Sequence, residues 1–293
     1  MSFFFEVLIN GLLVGIMYSL VAMGFALIYK ASDVFNFAQG DFSLFAGLAL
    51  VGFLAMGMPV WLALICTIIV MTILAYGTVF IIFRPLVARP PLVLFMAAIG
   101  LSFLVQGIGQ AIWGTDAKGL NIGIPDNPII IADIFISTFD LTFGVIAGLL
   151  LAGLVLFFQK TRTGRALRAV ADDHEAALSV GIPLLRAWAV TWVIAGIVAT
   201  VAGVAWGSRL GVQFSLSLIA LKALPVLILG GIDSIPGAII AGLMVGAFEN
   251  LAEVFIGPYV GGGIQTFFPY LMALVFLWFK PYGMFGKEIV ERV

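Results

Sequence analysis

Three ionisable side chains, Lys222, Glu249 and Glu253, lie in stretches that are otherwise apolar. Burying one charge in hydrocarbon costs about 2.5–3.5 kcal/mol on insertion scales, so a charge kept there usually pairs with another or lines a transport path. Glu249 and Glu253 are four positions apart, which places both carboxylates on one face of a helix, where they could pair with Lys222 or line a watery path. Alternatively, Lys222 near a span boundary and Glu253 near a helix end reach water by extending their side chains.

A second polar group, Asn36, Gln39 and Asp41, stands between the first two apolar runs. Its amides and carboxylate could hydrogen-bond across a helix break or contact a zwitterionic solute. The alternative is helix capping, because Asp41 and Ser43 are residue types that start helices. We predict seven candidates for a translocation path: Asn36, Gln39, Asp41, Gly231, Asp233, Lys222 and Glu249.

The central stretch, residues 159–186, is the longest polar interruption that also carries a dense charge pattern. Its charged residues and only histidine are Lys160, Arg162, Arg165, Arg168, Asp172, Asp173, His174, Glu175 and Arg186. Asp172 and Glu175 are spaced as in a capping box, and Gly181 and Pro183 are typical helix-ending residues. We predict a short helix of about two turns in a basic loop, which is either a plain solvated loop or a docking element.

The motifs of common catalytic and metal sites are missing from the sequence. It contains no GxxxxGK[ST] phosphate loop, so energy for transport must come from another subunit or from an ion gradient. It also contains no HExxH, no paired Cys/His spacing, and only one histidine. We therefore predict a non-enzymatic chain with no catalytic residue, no metal site and no bound cofactor. The net charge of −1 gives no reason to expect nucleic acid.

The elements that hold these residues are transmembrane helices. The 293 residues are 63% hydrophobic and 10% charged, with a mean hydropathy of +1.21, outside the range of soluble domains. We predict an all-α polytopic membrane protein with eight to ten transmembrane helices, forming a single transmembrane domain over residues 1–293. Nine apolar runs are spans: 8–29, 38–57, 60–83, 92–113, 141–158, 188–206, 216–229, 238–255 and 264–279.

The distribution of basic residues predicts the orientation of these spans. With the N-terminus outside, 11 of the 14 Lys and Arg residues lie in inside loops and only Lys118 and Arg209 lie outside, with Lys222 left in a span. The positive-inside rule favours this arrangement. It places the loop 159–186 and the C-terminus in the cytoplasm and the loop 114–140 outside.

Two segments interrupt the spans with polar residues, Gly and Pro, near 30–41 and 230–237. Each could be an ordinary turn, but interruptions at corresponding places in two halves are typical of discontinuous helices along a transport path. Ser19–Ala22 and Ser217–Ala220 are similar, which could reflect an internal duplication. In the outer loop, IIIADIFI is predicted as a short apolar element at the membrane interface, and the loop is either a structured cap or part of a platform for a soluble binding protein.

Three segments together carry a family resemblance: NFAQGDF at 36–42, GRALRAVADDHEAA at 164–177 and LGGIDSIPGA at 229–238. In this order the chain resembles the permease subunits of branched-chain amino-acid ABC importers, of the LivH type. The resemblance implies a bacterial inner-membrane subunit that pairs with a second homologous permease. It also implies two cytoplasmic ATPases that carry ATP and magnesium, and a periplasmic substrate-binding protein.

In that family the cytoplasmic loop docks on the ATPase, which implies coupling roles for Asp173, Glu175, Ala176, Ala177 and Gly181. The apolar-Leu-Pro ending of the wider ABC loop pattern is missing at its usual spacing after Gly181. We therefore predict an ABC permease for amino acids, branched-chain ones first. The alternatives are the same permease type serving urea, amides or aromatic acids, and an ion-coupled secondary transporter.

Overall fold

The chain is an all-α polytopic membrane protein, seen here in a computed structural model that describes residues 2–87, 89–125, 127–131 and 134–286. The described part contains twelve α-helices: α1 Ser2–Ser32, α2 Gln39–Ala55, α3 Val60–Gly77, α4 Pro91–Trp113, α5 Thr138–Lys160, α6 Arg162–Asp172, α7 His174–Ser179, α8 Leu184–Leu210, α9 Ile219–Gly230, α10 Ile235–Phe255, α11 Gly257–Val260 and α12 Phe268–Phe279. A π-helical turn, Thr78–Phe83, extends α3, and short 3₁₀ turns cover Arg84–Leu86, Phe214–Leu218 and Ile264–Thr266.

Nine apolar helical segments lie where the nine spans are predicted. Six helices in the described residues are long and apolar enough to cross a membrane, and three shorter ones are Gln39–Ala55, Phe214–Gly230 and Phe268–Phe279. At 1.5 Å per residue, the 12 residues of α12 extend only about 18 Å, well short of the roughly 30 Å hydrocarbon layer. By itself α12 is therefore shorter than the hydrocarbon layer is thick, whereas the 17 residues of α2 extend about 25 Å.

In the outer loop, the predicted short apolar element is a pair of strands. Strand β1, Pro128–Ile131, pairs antiparallel with β2, Ile134–Ser137, with Ile129 opposite Ile136. β-Branched isoleucines suit a strand, and two such runs close together satisfy each other's backbone polar groups. The apolar segment therefore forms a strand pair, and its position at the membrane interface stays a prediction.

The chain folds into two compact units. The first is formed by the described residues of 1–26, 123–151 and 221–293. In this unit α1 and α10 approach closely, because a Cβ at Gly15 would meet the carbonyl oxygen of Gly242 at 2.5 Å. Ser19 Oγ donates to the carbonyl of Ile239 at 3.1 Å, and Asn250 Nδ2 donates to that of Val7 at 2.9 Å. Small residues in membrane helices permit such contact between backbones.

The second unit, residues 27–122 and 152–220, is built around α8. Helices α2 and α3 pack on α8, whose Trp192 is fully buried. The Trp192 ring lies 6.1 Å from that of Phe42 and 4.8 Å from that of Phe83. Lys118, after α4, forms a backbone bridge with Val212, after α8. The ends of α4 and α8 therefore meet at one end of this unit, as the predicted outside positions of Lys118 and Arg209 require.

Both predicted interruptions are present as places where helices stop. Helix α1 ends at Ser32, Asp33 has a φ of 51°, and regular helix resumes at Gln39. Helix α9 ends at Gly230, and α10 begins at Ile235 after Ser234, whose side chain accepts a hydrogen bond from the Gly237 N–H at 3.1 Å. The internal duplication and the single-domain boundary stay predictions.

Candidate functional site

Lys222 and Glu249 form an ion pair in the first unit. Lys222 Nζ lies 3.3 Å from Glu249 Oε1. The Tyr18 hydroxyl donates to the same oxygen at 3.3 Å and lies 3.5 Å from the ammonium. The Glu249 side chain is 7% exposed and that of Lys222 is 33% exposed. Sequence reasoning missed Tyr18, whose hydroxyl in an apolar run was the available signal.

Glu253 takes no part in this pair. Its carboxylate accepts hydrogen bonds from the backbone N–H groups of Gly263 and Gln265, each at 2.9 Å. It therefore holds the loop between α11 and the following 3₁₀ turn. This matches the structural interpretation of Glu253 near a helix end, and leaves Glu249 as the carboxylate that faces Lys222.

Asp41, in the second unit, is 3% exposed and fastens α2 to α4. Ser102 Oγ donates to one carboxylate oxygen, and Gln106 Nε2 donates to the other at 2.7 Å. The capping interpretation of Asp41 is wrong, because α2 begins at Gln39 and has no side-chain cap. Sequence reasoning missed Ser102 and Gln106, although two polar residues four apart in an apolar run were a signal.

Asn36 and Gln39 are fully buried. Their hydrogen bonds attach the helix break that precedes α2 to helix α8. Asn36 Nδ2 donates to Gln39 Oε1 at 3.3 Å, and Asn36 Oδ1 accepts from the backbone N–H of Ala38 at 3.1 Å. Gln39 Nε2 in turn donates to the carbonyl of Ala195 at 3.4 Å. Asn36, Gln39 and Asp41 thus gather at the start of α2 but bind different neighbours. In this conformation a solute reaches them only if those helices separate.

Gly231, in the first unit, lies against the segment that follows α12. It is buried with a φ of 99°, and a Cβ there would meet the Gly286 backbone nitrogen at 2.5 Å. Backbone hydrogen bonds from Met284 and Phe285 to Leu229 and Gly230 hold the two segments together. Asp233 is half-buried in the same turn. The geometry makes this break closely packed, and its role in a translocation path stays a prediction.

The central loop contains two helices where one short helix is predicted. Thr161 caps α6, since its hydroxyl accepts from the Gly164 N–H at 2.9 Å and donates to the Phe157 carbonyl at 2.7 Å. A Cβ at Gly164 would meet Phe158 Cα at 2.6 Å, so α6 lies directly against the end of α5. Leu167 and Val170 bury one face of α6. This fixed attachment joins the loop to the spans.

Helix α7 begins one residue later than the predicted capping box places it. Asp173, not Asp172, is the cap, because its Oδ1 accepts from the Ala176 N–H at 2.9 Å. Gly181, with a φ of 83°, follows the helix end and donates to the Leu178 carbonyl at 3.0 Å. Glu175 and Ala176 are exposed, whereas Ala177 is 3% exposed and packs inside the chain.

Helix α7 also contacts α6 and α8. Its exposed residues can meet a partner, while Ala177 holds the helix in place. Among the described residues, no group of three or more His, Cys, Asp or Glu side chains could hold a metal ion.

Known proteins are similar to this chain in sequence along nearly its whole length. Residues 7–278 match the family model described as branched-chain amino acid transport system / permease component. The chain is 30% identical to the high-affinity branched-chain amino acid transport system permease protein BraD of Pseudomonas aeruginosa, over 99% of this chain and 98% of that protein. It is 28% identical to the corresponding permease protein LivH of Salmonella typhimurium, over 99% and 98%.

Among solved structures, the chain is similar to PsaBC from Streptococcus pneumoniae in complex with Fab, with a TM-score of 0.46 and 14% identity over 92% of this chain and 89% of that one. The family match and the BraD identity are both carried by almost all of the sequence. The chain therefore belongs to the family of branched-chain amino acid transport system permease components.

Proposed function

We propose that this chain is the membrane-spanning subunit of an ATP-driven ABC importer for amino acids, with branched-chain amino acids as its substrates. BraD and LivH, which match it over 99% of its length, are named as permeases for that class of solute. Alternating access of the helix bundle would expose the solute to one side of the membrane and then to the other. Ion-coupled secondary transport is not favoured by membership of this family.

The attachment of α6 and α7 to the spans is the observation that carries this proposal. A force on α7 can pass through its contacts with α6 and α8, and α6 is fastened to α5 at Thr161 and Gly164. The residues at the exposed surface of α7, Glu175 and Ala176, are then the contact with an ATPase. Ala177 and Gly181 shape the helix and its end, and Asp173 caps it.

The partners follow from the same proposal. Two cytoplasmic ATPases would carry ATP and magnesium, since the sequence has no phosphate loop of its own. A second homologous permease would complete the transmembrane part, and a periplasmic binding protein would deliver the solute. The charge distribution supports an orientation with the N-terminus outside and the C-terminus in the cytoplasm. The similarity to BraD and LivH supports a bacterial inner membrane location. Impermeant labelling of cysteines placed at Thr163 and Asn121, both exposed, tests this orientation from the two sides.

The candidate path residues fit a closed state of such a transporter. Asn36, Gln39 and Asp41 are buried, and their side chains are hydrogen-bonded within the chain: Asn36 to Gln39, Gln39 to α8, and Asp41 to α4. Separation of α2 from these helices would free the amides and the carboxylate to meet the charged ends of an amino acid. Lys222, Glu249, Gly231 and Asp233 are the candidates in the other unit.

Uptake over a panel of solutes tests the proposal. Cells that express the complete transporter are given leucine, isoleucine, valine, urea, a short amide and an aromatic acid, with the gene for this chain intact or deleted. We expect deletion to abolish concentrative uptake of the three branched-chain amino acids and to leave the others unchanged. Loss of urea, amide or aromatic acid uptake instead would replace the proposed substrate while keeping the transporter class.

A further inference from the structure

An apolar groove of about 400 Å³ opens in the second unit beside the central loop. Its walls are Leu154 and Phe157 from α5, four residues between Ala189 and Ile194 from α8, and Tyr76 from α3. Except for the Tyr76 hydroxyl, every side chain in this lining is a hydrocarbon. The groove therefore suits a hydrocarbon chain and offers almost nothing to a polar ligand.

Basic residues stand at the loop end of both main walls. Arg186 precedes Ala189 by three residues and Val190 by four, so all three lie on one face of α8. Lys160 follows Phe157 by three residues on α5. Each basic residue is thus about 4.5–6 Å along its helix from a residue of the groove. Since α5 runs into the central loop and α8 runs out of it, both basic residues mark the same end of the groove.

Both basic side chains are available to a ligand. Lys160 and Arg186 are exposed, and neither side chain forms a hydrogen bond or an ion pair within the part of the chain that the structure describes. Two unpaired cations at the end of an apolar groove complement a phosphate that is attached to a hydrocarbon chain.

We propose that this groove binds an anionic phospholipid, with one acyl chain between α5 and α8 and the headgroup phosphate beside Lys160 and Arg186. Charge complementarity favours a lipid over a second protein chain here, because an apolar helix packed in the groove would leave both cations unneutralised. The bound lipid would brace the end of α5 to which α6 is fastened.

Lipid binding to the full-length chain tests the site. Native mass spectrometry measures retention of phosphatidylglycerol against phosphatidylcholine. We expect the native chain to retain phosphatidylglycerol preferentially. Because a basic residue near an anionic lipid surface contributes about 1 kcal/mol, Lys160→Gln and Arg186→Gln should each lower the affinity for phosphatidylglycerol about fivefold. The matched control Arg165→Gln removes an exposed charge from the same loop, on α6, which contributes no residue to the groove, and should change the affinity less than twofold.

A groove variant separates the acyl chain from the phosphate. Val190→Trp fills the groove and keeps both cations, and it should lower phosphatidylglycerol retention as much as the charge variants do. If Val190→Trp does not fold, the two charge variants and their control still decide the question. Equal effects of all three charge variants, or competition by inorganic phosphate as strong as by phosphatidylglycerol, would overturn the proposal. So would a cross-link from a cysteine at Val193 to another protein chain in the assembled transporter, since the face would then be a protein interface.

Discussion

Replacing Lys222 by Met should destabilise the chain by leaving Glu249 as an unpaired buried charge. The Glu249 side chain is 7% exposed and its oxygen lies 3.3 Å from the ammonium. Removing one partner of a buried pair costs about 3–5 kcal/mol. Glu249 can escape part of this penalty by taking up a proton, which for an ordinary glutamate costs about 3.7 kcal/mol at pH 7. Since Lys222 is one-third exposed and the pair is partly solvated, we expect a loss of about 2–4 kcal/mol.

Thermal unfolding of the purified full-length chain in detergent measures this loss. For a chain of this size, we expect Lys222→Met to lower the midpoint by roughly 5–15 °C. The double variant Lys222→Met/Glu249→Gln should recover most of it, because no charge is then left unpaired. Tyr18→Phe, which removes only a neutral donor, should cost about 1 kcal/mol.

The pH dependence of this loss of stability provides a second test. The cost of protonating Glu249 falls by about 1.4 kcal/mol per pH unit, so the deficit of Lys222→Met should shrink as the pH falls from 7 to 5. The stability deficit of the double variant relative to the native chain should not shrink in this way as the pH falls. A Lys222→Met chain as stable as the native one, or a double variant as unstable as the single one, would refute the argument that Lys222 neutralises the buried charge of Glu249.

Three further predictions test other contacts. Gly15→Ala should cost about 1–3 kcal/mol, since its Cβ would press on the α10 backbone, whereas Gly148→Ala, with nothing within 4 Å, should be neutral or slightly stabilising in the same unfolding assay. Asp41→Asn should cost about 1–3 kcal/mol, because an amide nitrogen cannot accept from the donor that faces it, and unchanged stability would contradict the assigned hydrogen bonds. Glu175→Lys with Ala176→Trp should weaken ATPase association or uncouple ATP hydrolysis from uptake, while Glu175→Gln should act more mildly. Normal coupled transport in the charge-reversed double variant would show that α7 is not the contact.

Much of the architecture could be predicted because the bilayer dictates it. An apolar run must be about 20 residues long to span the hydrocarbon, so the run 92–113 coincides with α4 at Pro91–Trp113. The interruptions near Asn36 and Gly231 could also be predicted, because polar residues and glycine are unfavourable within a lipid-exposed helix. The helix ends were predicted less closely, since α1 covers Ser2–Ser32 where the predicted run is 8–29, and α8 covers Leu184–Leu210 where it is 188–206.

Hydropathy does not predict the helices of the central loop. The α6 sequence, RTGRALRAVAD, is too polar for a span, although its buried residues Gly164, Leu167 and Val170 recur every three residues, as on one face of an amphipathic helix. Its helix depends on the buried pair Leu167 and Val170 and on the approach of Gly164 to α5, which are tertiary contacts. The predicted capping box places the cap at Asp172, whereas Asp173 is the cap. The two adjacent aspartates are equally suitable by residue type, so the sequence could not distinguish them.

The polar contacts of the candidate site could be predicted only in part. The pairing of Lys222 with Glu249 was among the open alternatives, because charges at membrane depth need partners. That Asp41 would meet Ser102 and Gln106, 61 and 65 residues away, could not follow from spacing in one sequence. Such pairs depend on how helices distant in the chain are arranged.

ATP-driven uptake into proteoliposomes tests the central claim most directly. The full-length chain is reconstituted with the subunits that purify with it, and radiolabelled leucine is supplied with the soluble binding protein on the side that the extracytoplasmic loop faces. We predict accumulation that requires ATP and magnesium on the opposite side and that persists when ionophores collapse all ion gradients. Accumulation that needs no ATP and that disappears with the ion gradient would contradict the account.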